Sequence, residues 1–185
     1  IRVPLSDVAI GTVANLGSLA EVLTTGANRD RLGNAVYGAF GRDFMTKDGV
    51  RLMIMAITQR QWTGLVDVLG IASEIAAIEA KHGVSFAKDE GVRFDHRAEL
   101  FPLVEARVAT WAFAELKAAL DKVGGCYGPY QTMLDAARDP ELVSNNPIFG
   151  TANNPSGAAY PAAGSFATLP GQDRHPPAPA PYLGA

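Results

Sequence analysis

Few residues in this chain have the type and spacing that chemistry demands. His82, His96 and His175 fall at a helix end, a helix start and a proline-rich tail. Nothing in that spacing gathers metal ligands, so surface or capping roles are expected and no metal is. Cys126, the single cysteine, has no histidine in a suggestive pattern nearby and reads as a buried small hydrophobe. Neither a Gly-x-Ser-x-Gly elbow nor a P-loop occurs. Asp7 stands in the first turn of an expected helix, where the dipole favours a carboxylate, and reads as a cap-region charge. No catalytic residue is assigned.

What remains is the loop from Gly33 to Gly41. Glycines at 33, 38 and 41 let the backbone approach a ligand, and amides turned inward could stabilise an oxyanion. On spacing alone such a glycine-rich entry to a hairpin is more often just a turn. The elements behind it must hold it. Phe40, Arg42, Phe44 and Thr46 alternate, Lys47-Asp48-Gly49 signals a hairpin turn, and Val50 to Ile57 is apolar enough for a strand covered on both faces. Thr58 and Gln61 then have capping-box spacing, with Trp62, Leu65, Val66 and Leu69 at helical intervals up to Gly70.

Around this unit the chain reads mostly helical. Residues 2 to 5 are expected to form a strand, followed by a helix from a Ser6 cap to about Leu23, whose many small residues predict close packing. Asn28-Arg29-Asp30-Arg31 is a polar connector, its arginines either meeting phosphates or solvated. Further helices are expected from Ser73 to His82, from an Asp95 cap through Val108, and from a Thr110 cap to Val123; residues 84 to 95 read as a charged surface excursion. Cys126 to Pro129 is a short extended link before a helix around 131 to 137, and Asp139-Pro140 starts a last turn. From Pro147 onward lie eight of the twelve prolines, so this segment is expected to build no core and to run extended or loose.

Several of these stretches together resemble one family. Gly-Asn, Tyr-Gly, Phe-Gly-Arg-Asp-Phe and Thr-x-Asp-Gly within residues 33 to 49, IRVPLSDVAIGTVANLGSLAEV at the start, GGCYGPYQT at 124 to 132 and APAPYLG near the end are similar, in this order, to class III CoA-transferases. The resemblance implies an α+β small domain, a short antiparallel sheet flanked by helices, preceded by a strand-helix of a truncated α/β large domain. It implies residues 1–26 as the end of the large CoA-binding domain, 27–41 as linker and glycine loop, 42–150 as the small domain, and 151–185 as an extended tail returning to the large domain. The chain would then be an interior piece of a longer one, with its nucleophilic aspartate upstream.

In such enzymes an aspartate attacks an acyl-CoA thioester to give a mixed anhydride, and the released thiolate converts that to an aspartyl-CoA thioester. An acceptor carboxylate then takes the CoA by the reverse steps. A glycine loop over the carboxylate would supply oxyanion donors and exclude water. Asn34, Tyr37 and Gly38 are carried over as candidate substrate contacts. Many members have a His-Pro pair near Ala35-Val36. Its absence here favours the branch in which CoA moves between two carboxylates of one acyl group, with an intermolecular transferase or an acyl-CoA racemase as alternatives inside the family and a non-catalytic dimerisation module outside it. Coenzyme A is expected as part of the substrate, with no tightly bound cofactor.

Composition sets the outer bounds. The chain has 185 residues, 48% of them hydrophobic, enough for a core but short for two full domains. Its net charge of -3 comes from 16 basic and 19 acidic residues that are interspersed, which argues against nucleic acid. No apolar run reaches the length of a membrane span, and one cysteine fits a reducing compartment. A soluble cytoplasmic protein, homodimeric with interlocked subunits as the resemblance implies, is the expectation.

Overall fold

The computed structural model describes residues 2–182. The chain divides into two compact units, Ile1–Gly128 and Pro129–Ala185. In the first unit, α1 (Leu5–Asn15) and α2 (Ser18–Thr25) meet at a 65° bend next to Gly17. The single helix expected over 6 to 23 is therefore broken, and residues 2–4 form no strand; Pro4 takes the position before the helix. A strand needs a paired neighbour, and residues 2–4 have none among the described residues. No residue of either helix is buried, contrary to the close packing expected of their small residues, and Leu5, Ile10, Leu16 and Leu23 face outward. No single helix among the described residues is long and apolar enough to cross a membrane.

The core is built on the hairpin. β1 (Phe40–Met45) pairs antiparallel with β2 (Arg51–Ala56), Phe40 opposite Ala56 and Met45 opposite Arg51. Because side chains alternate across a strand, Phe40 and Phe44 share one face with Leu52, Ile54 and Ala56, and all five are buried. Met53 and Met55 point the other way and are half-buried, so β2 is fully covered on one face only. Helix α3 (Gln59–Leu69) follows immediately. Its capping box forms as the sequence predicts: the Thr58 hydroxyl accepts from the Gln61 N–H at 3.2 Å, and the Gln61 amide oxygen accepts from the Thr58 N–H at 3.0 Å. Trp62 seats its ring 5.2 Å from Phe40, and Leu65, Val66 and Leu69 complete the buried stripe.

Helix α4 (Ala72–His82) starts one residue before Ser73, whose hydroxyl bonds the neighbouring Glu74 and caps nothing. The stretch 84 to 95 is no surface excursion. Asp89 caps α5 (Glu90–Asp95), and Phe86, Arg93 and Phe94 are buried. Charge counting misplaced it because a guanidinium can be buried when carbonyls accept its protons. Arg93 donates to Phe86 O at 2.6 Å and Ile57 O at 2.5 Å, and lies 5.5 Å from the Trp62 ring.

Two further caps differ from expectation. Helix α6 (Arg97–Val108) has His96, not Asp95, at its start, with no side-chain cap. Helix α7 (Phe113–Val123) is not capped by Thr110, whose hydroxyl turns back to Arg107 O. Its first free N–H, on Phe113, is bonded instead by the Asp48 carboxylate from the hairpin turn, at 3.1 and 3.2 Å. Strand β3 (Cys126–Pro129) completes a sheet in the order β1-β2-β3. Cys126 in it is only half-buried, less enclosed than expected.

The second unit holds α8 (Met133–Arg138), capped by Thr132, and a hairpin of β4 (Phe149–Asn153) with β5 (Ala159–Ala163). The proline-rich tail is thus partly ordered. Pro161 fits because a two-stranded ladder leaves each strand an outer side where a missing N–H costs nothing. Residues near 177 to 180 run back across this hairpin: the Ala180 N–H donates to the Asn154 side chain at 3.0 Å. Ala152 is its one core residue among those described, so the segment builds almost no interior, as its composition predicts.

Candidate functional site

The loop ahead of β1 closes on itself before it enters the sheet. The Ala35 N–H donates to Leu32 O at 3.0 Å and the Val36 N–H to Gly41 O at 2.8 Å. The N–H groups of Tyr37 and Gly38 bond no backbone carbonyl among the described residues. Gly38 has φ +75°, in the region that disfavours side chains, so the turn carrying those two amides depends on glycine. Gly41 serves differently. A Cβ there would stand 2.8 Å from Val36 Cγ2, 3.0 Å from Met55 Cγ and 3.2 Å from Ile54 O. Glycine is what lets the loop lie against the strand.

Two clefts flank this loop. One, of about 420 Å³, is lined by Arg31, Asn34, Arg42, Asp43, Asp95 and Arg97 among others. Asn34 donates to Asp43 Oδ1 at 3.1 Å, and Asp43 also pairs with Arg51 at 3.1 Å. Arg42 pairs with Glu105 at 2.9 Å and lies 5.2 Å from the rings of Phe44 and Phe101. Arg31 forms no ion pair among the described residues and leaves its charge to the cleft.

The second cleft, of about 250 Å³, contains Tyr37. Here four side chains make a column. Arg29 lies 4.1 Å over Tyr37, Tyr37 meets Phe94 edge-on at 5.3 Å, and Arg97 lies 4.1 Å over Phe94. Arg29 is also held by Glu21, and these hydrogen bonds keep the Glu21 carboxyl below its ordinary range. Tyr37 remains more than half exposed, with its hydroxyl free of protein partners among the described residues.

Of the three candidate contacts, then, Asn34 faces one cleft, Tyr37 the other, and Gly38 neither; Gly38 shapes the turn between them. Arg97 and Leu32 belong to both clefts. Sequence reading missed Asp43, Phe94 and Arg97 as cleft residues. Asp43 lies within the Phe-Gly-Arg-Asp-Phe stretch but was not carried over, while no local pattern marks Phe94 and Arg97, which arrive from α5 and α6.

A third cluster brings two of the histidines together. His82 ends α4 and His96 precedes α6, yet their rings lie 4.3 Å apart. His82 Nε2 is 2.6 Å from Glu99 Oε1, while Lys81 donates to Glu99 Oε2 at 2.8 Å. The hydrogen bonds from Lys81 and then His82 hold the Glu99 carboxyl below its ordinary range. The fold supplies the proximity that spacing did not announce.

The pattern of CoA-transferase family III matches residues 1–185, the whole chain. The chain belongs to this family. It is 35% identical over all its 185 residues to 2-methylfumaryl-CoA isomerase of Chloroflexus aurantiacus, of which it spans 45%. Among solved structures it is similar to a CAIB/BAIF family protein of Brucella suis, with 25% identity and TM-score 0.61 over 91% of this chain and 41% of that one. Rv3272 of Mycobacterium tuberculosis shares the fold at 20% identity, TM-score 0.60, over 96% and 45%. The chain thus spans less than half the length of the relatives it matches, and its mixed helical and antiparallel architecture is theirs.

Proposed function

We propose that this chain contributes the loop side of an acyl-CoA site in which CoA passes between two carboxylates of one acyl group, as in a 2-methylfumaryl-CoA isomerase. The similarity to that isomerase along every residue of the chain carries the reading. The nucleophile is an aspartate of the portion of its relatives that this chain does not span. It attacks the thioester carbonyl and expels CoA thiolate, leaving a mixed anhydride. The thiolate attacks the aspartyl carbonyl and frees the first acyl carboxylate. The second carboxylate of the same acyl group then reverses both steps, so atoms and charge balance without a cofactor.

In this reading residues 1–26 belong with a larger CoA-binding domain, and the loop of 27–41 covers the carboxylate. The amides of Tyr37 and Gly38, which bond no backbone carbonyl among the described residues, are the oxyanion donors at the turn between the two clefts, and Asn34 orients the substrate from one of them. Arg31 suits a carboxylate or phosphate of the substrate. The working protein is a cytoplasmic homodimer.

The test uses the enzyme encoded by the complete reading frame, with 2-methylfumaryl-CoA and isotopically labelled free acid. Conversion to the isomeric thioester without label uptake is expected. Label uptake would make the enzyme an intermolecular transferase, and no conversion would refute the CoA-transfer reading. Residues 1–185 alone should not turn over, since the nucleophile lies elsewhere; turnover would place it inside them. In the whole enzyme, Gly38→Ala should cost roughly tenfold or more in kcat by misplacing the loop, and unchanged kcat would reduce the loop to a connector.

A further inference from the structure

We infer that His82, His96 and Glu99 form a binding site for one first-row divalent metal ion, zinc above all. One ligand atom from each lies within 4.8 Å of the others. Imidazole nitrogens and a carboxylate oxygen suit zinc, nickel or copper and not magnesium or calcium, which prefer oxygen donors throughout. Zinc bonds these atoms at about 2.0–2.2 Å, so small side-chain rotations bring the three onto one ion.

His96 and Glu99 sit three residues apart at the start of α6, the spacing that puts two ligands on one helix face. The His96 ring is steadied by buried Phe86, edge-on at 5.6 Å. His82 comes from the last turn of α4, where the helix dipole favours a cation. The His82 and Glu99 side chains keep 28% and 37% of their surface exposed, which gives the ion a way in and leaves a fourth position for water.

His82 Nε2 and Glu99 Oε1 stand 2.6 Å apart, at hydrogen-bond distance, and the ion takes the place of the proton between them. That proton moves to Nδ1 in a neutral ring and into solvent from an imidazolium. Lys81 opposes the ion: its ammonium occupies the other oxygen of Glu99 and adds a like charge beside the metal.

The test is a titration with Zn²⁺ alone against a chromophoric chelator, at about pH 7.5, where imidazole is largely neutral. One ion per chain is expected. Loss of even an outer partner of a metal site costs about tenfold or more, so His82→Gln and His96→Gln should each weaken binding at least that much. Lys81→Met should tighten it and Cys126→Ser should leave it unchanged. Should His96→Gln disturb the fold by circular dichroism, the outward His82→Gln carries the test. The site is refuted if no saturable binding occurs by about 100 µM zinc. It is refuted equally if binding survives in the His82→Gln/His96→Gln double variant or vanishes in Cys126→Ser.

Discussion

Gly41→Ala should destabilise the protein through one identifiable collision. Ordinary carbon contacts lie near about 3.5–4.0 Å, whereas the new methyl would meet Val36 Cγ2 at 2.8 Å, Met55 Cγ at 3.0 Å and Ile54 O at 3.2 Å. Met55 can rotate away. Ile54 O cannot recede without loosening the β1–β2 pairing. Val36 is β-branched and its N–H is tied to Gly41 O, so it yields only by moving the loop. Overpacking of this kind costs about 1–3 kcal/mol.

Val36→Ala alone removes two half-buried methyl-sized groups and should cost at most about 1 kcal/mol. If Val36 is what the new methyl strikes, the double variant should recover at least about 1 kcal/mol relative to the sum of the singles. Urea unfolding followed by tryptophan fluorescence, with Trp62 in the core, reads all four corners of the cycle. A Gly41→Ala loss below about 0.5 kcal/mol, or strict additivity, would refute the account of how the loop rests on the strand.

Other substitutions probe the frame behind the loop. Arg93→Met should cost about 1–3 kcal/mol because the carbonyls of Phe86 and Ile57 lose their donor. Arg93→Lys should not rescue it, since an ammonium lacks the fork that reaches both; a chemical midpoint unmoved by either change would contradict this. Asp48 is held below its ordinary range, first by the Thr46 hydroxyl and then, against opposing desolvation, by the Phe113 N–H. A carboxyl with a depressed folded value stabilises fully above its unfolded pKa of about 3.9, and that contribution drains away as pH falls through the folded value. The stability gap between the protein and Asp48→Asn should therefore be widest at neutral pH and close in acid. A gap independent of pH would show that the charge contributes nothing.

Local chemistry was legible in the sequence wherever cause and effect lie within one turn of each other. The Thr58/Gln61 box, the Asp48-Gly49 turn and the helix end at Gly70 are of that kind. Readings failed where the partner lies far along the chain. Thr110 has the right type for a cap, but its hydroxyl finds Arg107 O first and Asp48 takes the helix end. Arg93 looks like a surface charge until Trp62, Ile57 and Phe86 surround it. The candidate site follows the same rule: Asn34, Tyr37 and Gly38 are named by resemblance to a contiguous motif that also holds Asp43, while Phe94, Arg97 and the His82–His96–Glu99 group come together only once separate elements converge.

The carboxylate of Asp48 joins two elements that no covalent neighbourhood links. It steadies the bend between β1 and β2 while occupying the orphan amide that opens α7. Fraying of that bend would strip the helix of its anchor in the same event, and the two regions should open as one cooperative unit. Amide hydrogen exchange should then register identical opening energies at Val50 and in the first turn of α7, despite the sixty-odd residues between them.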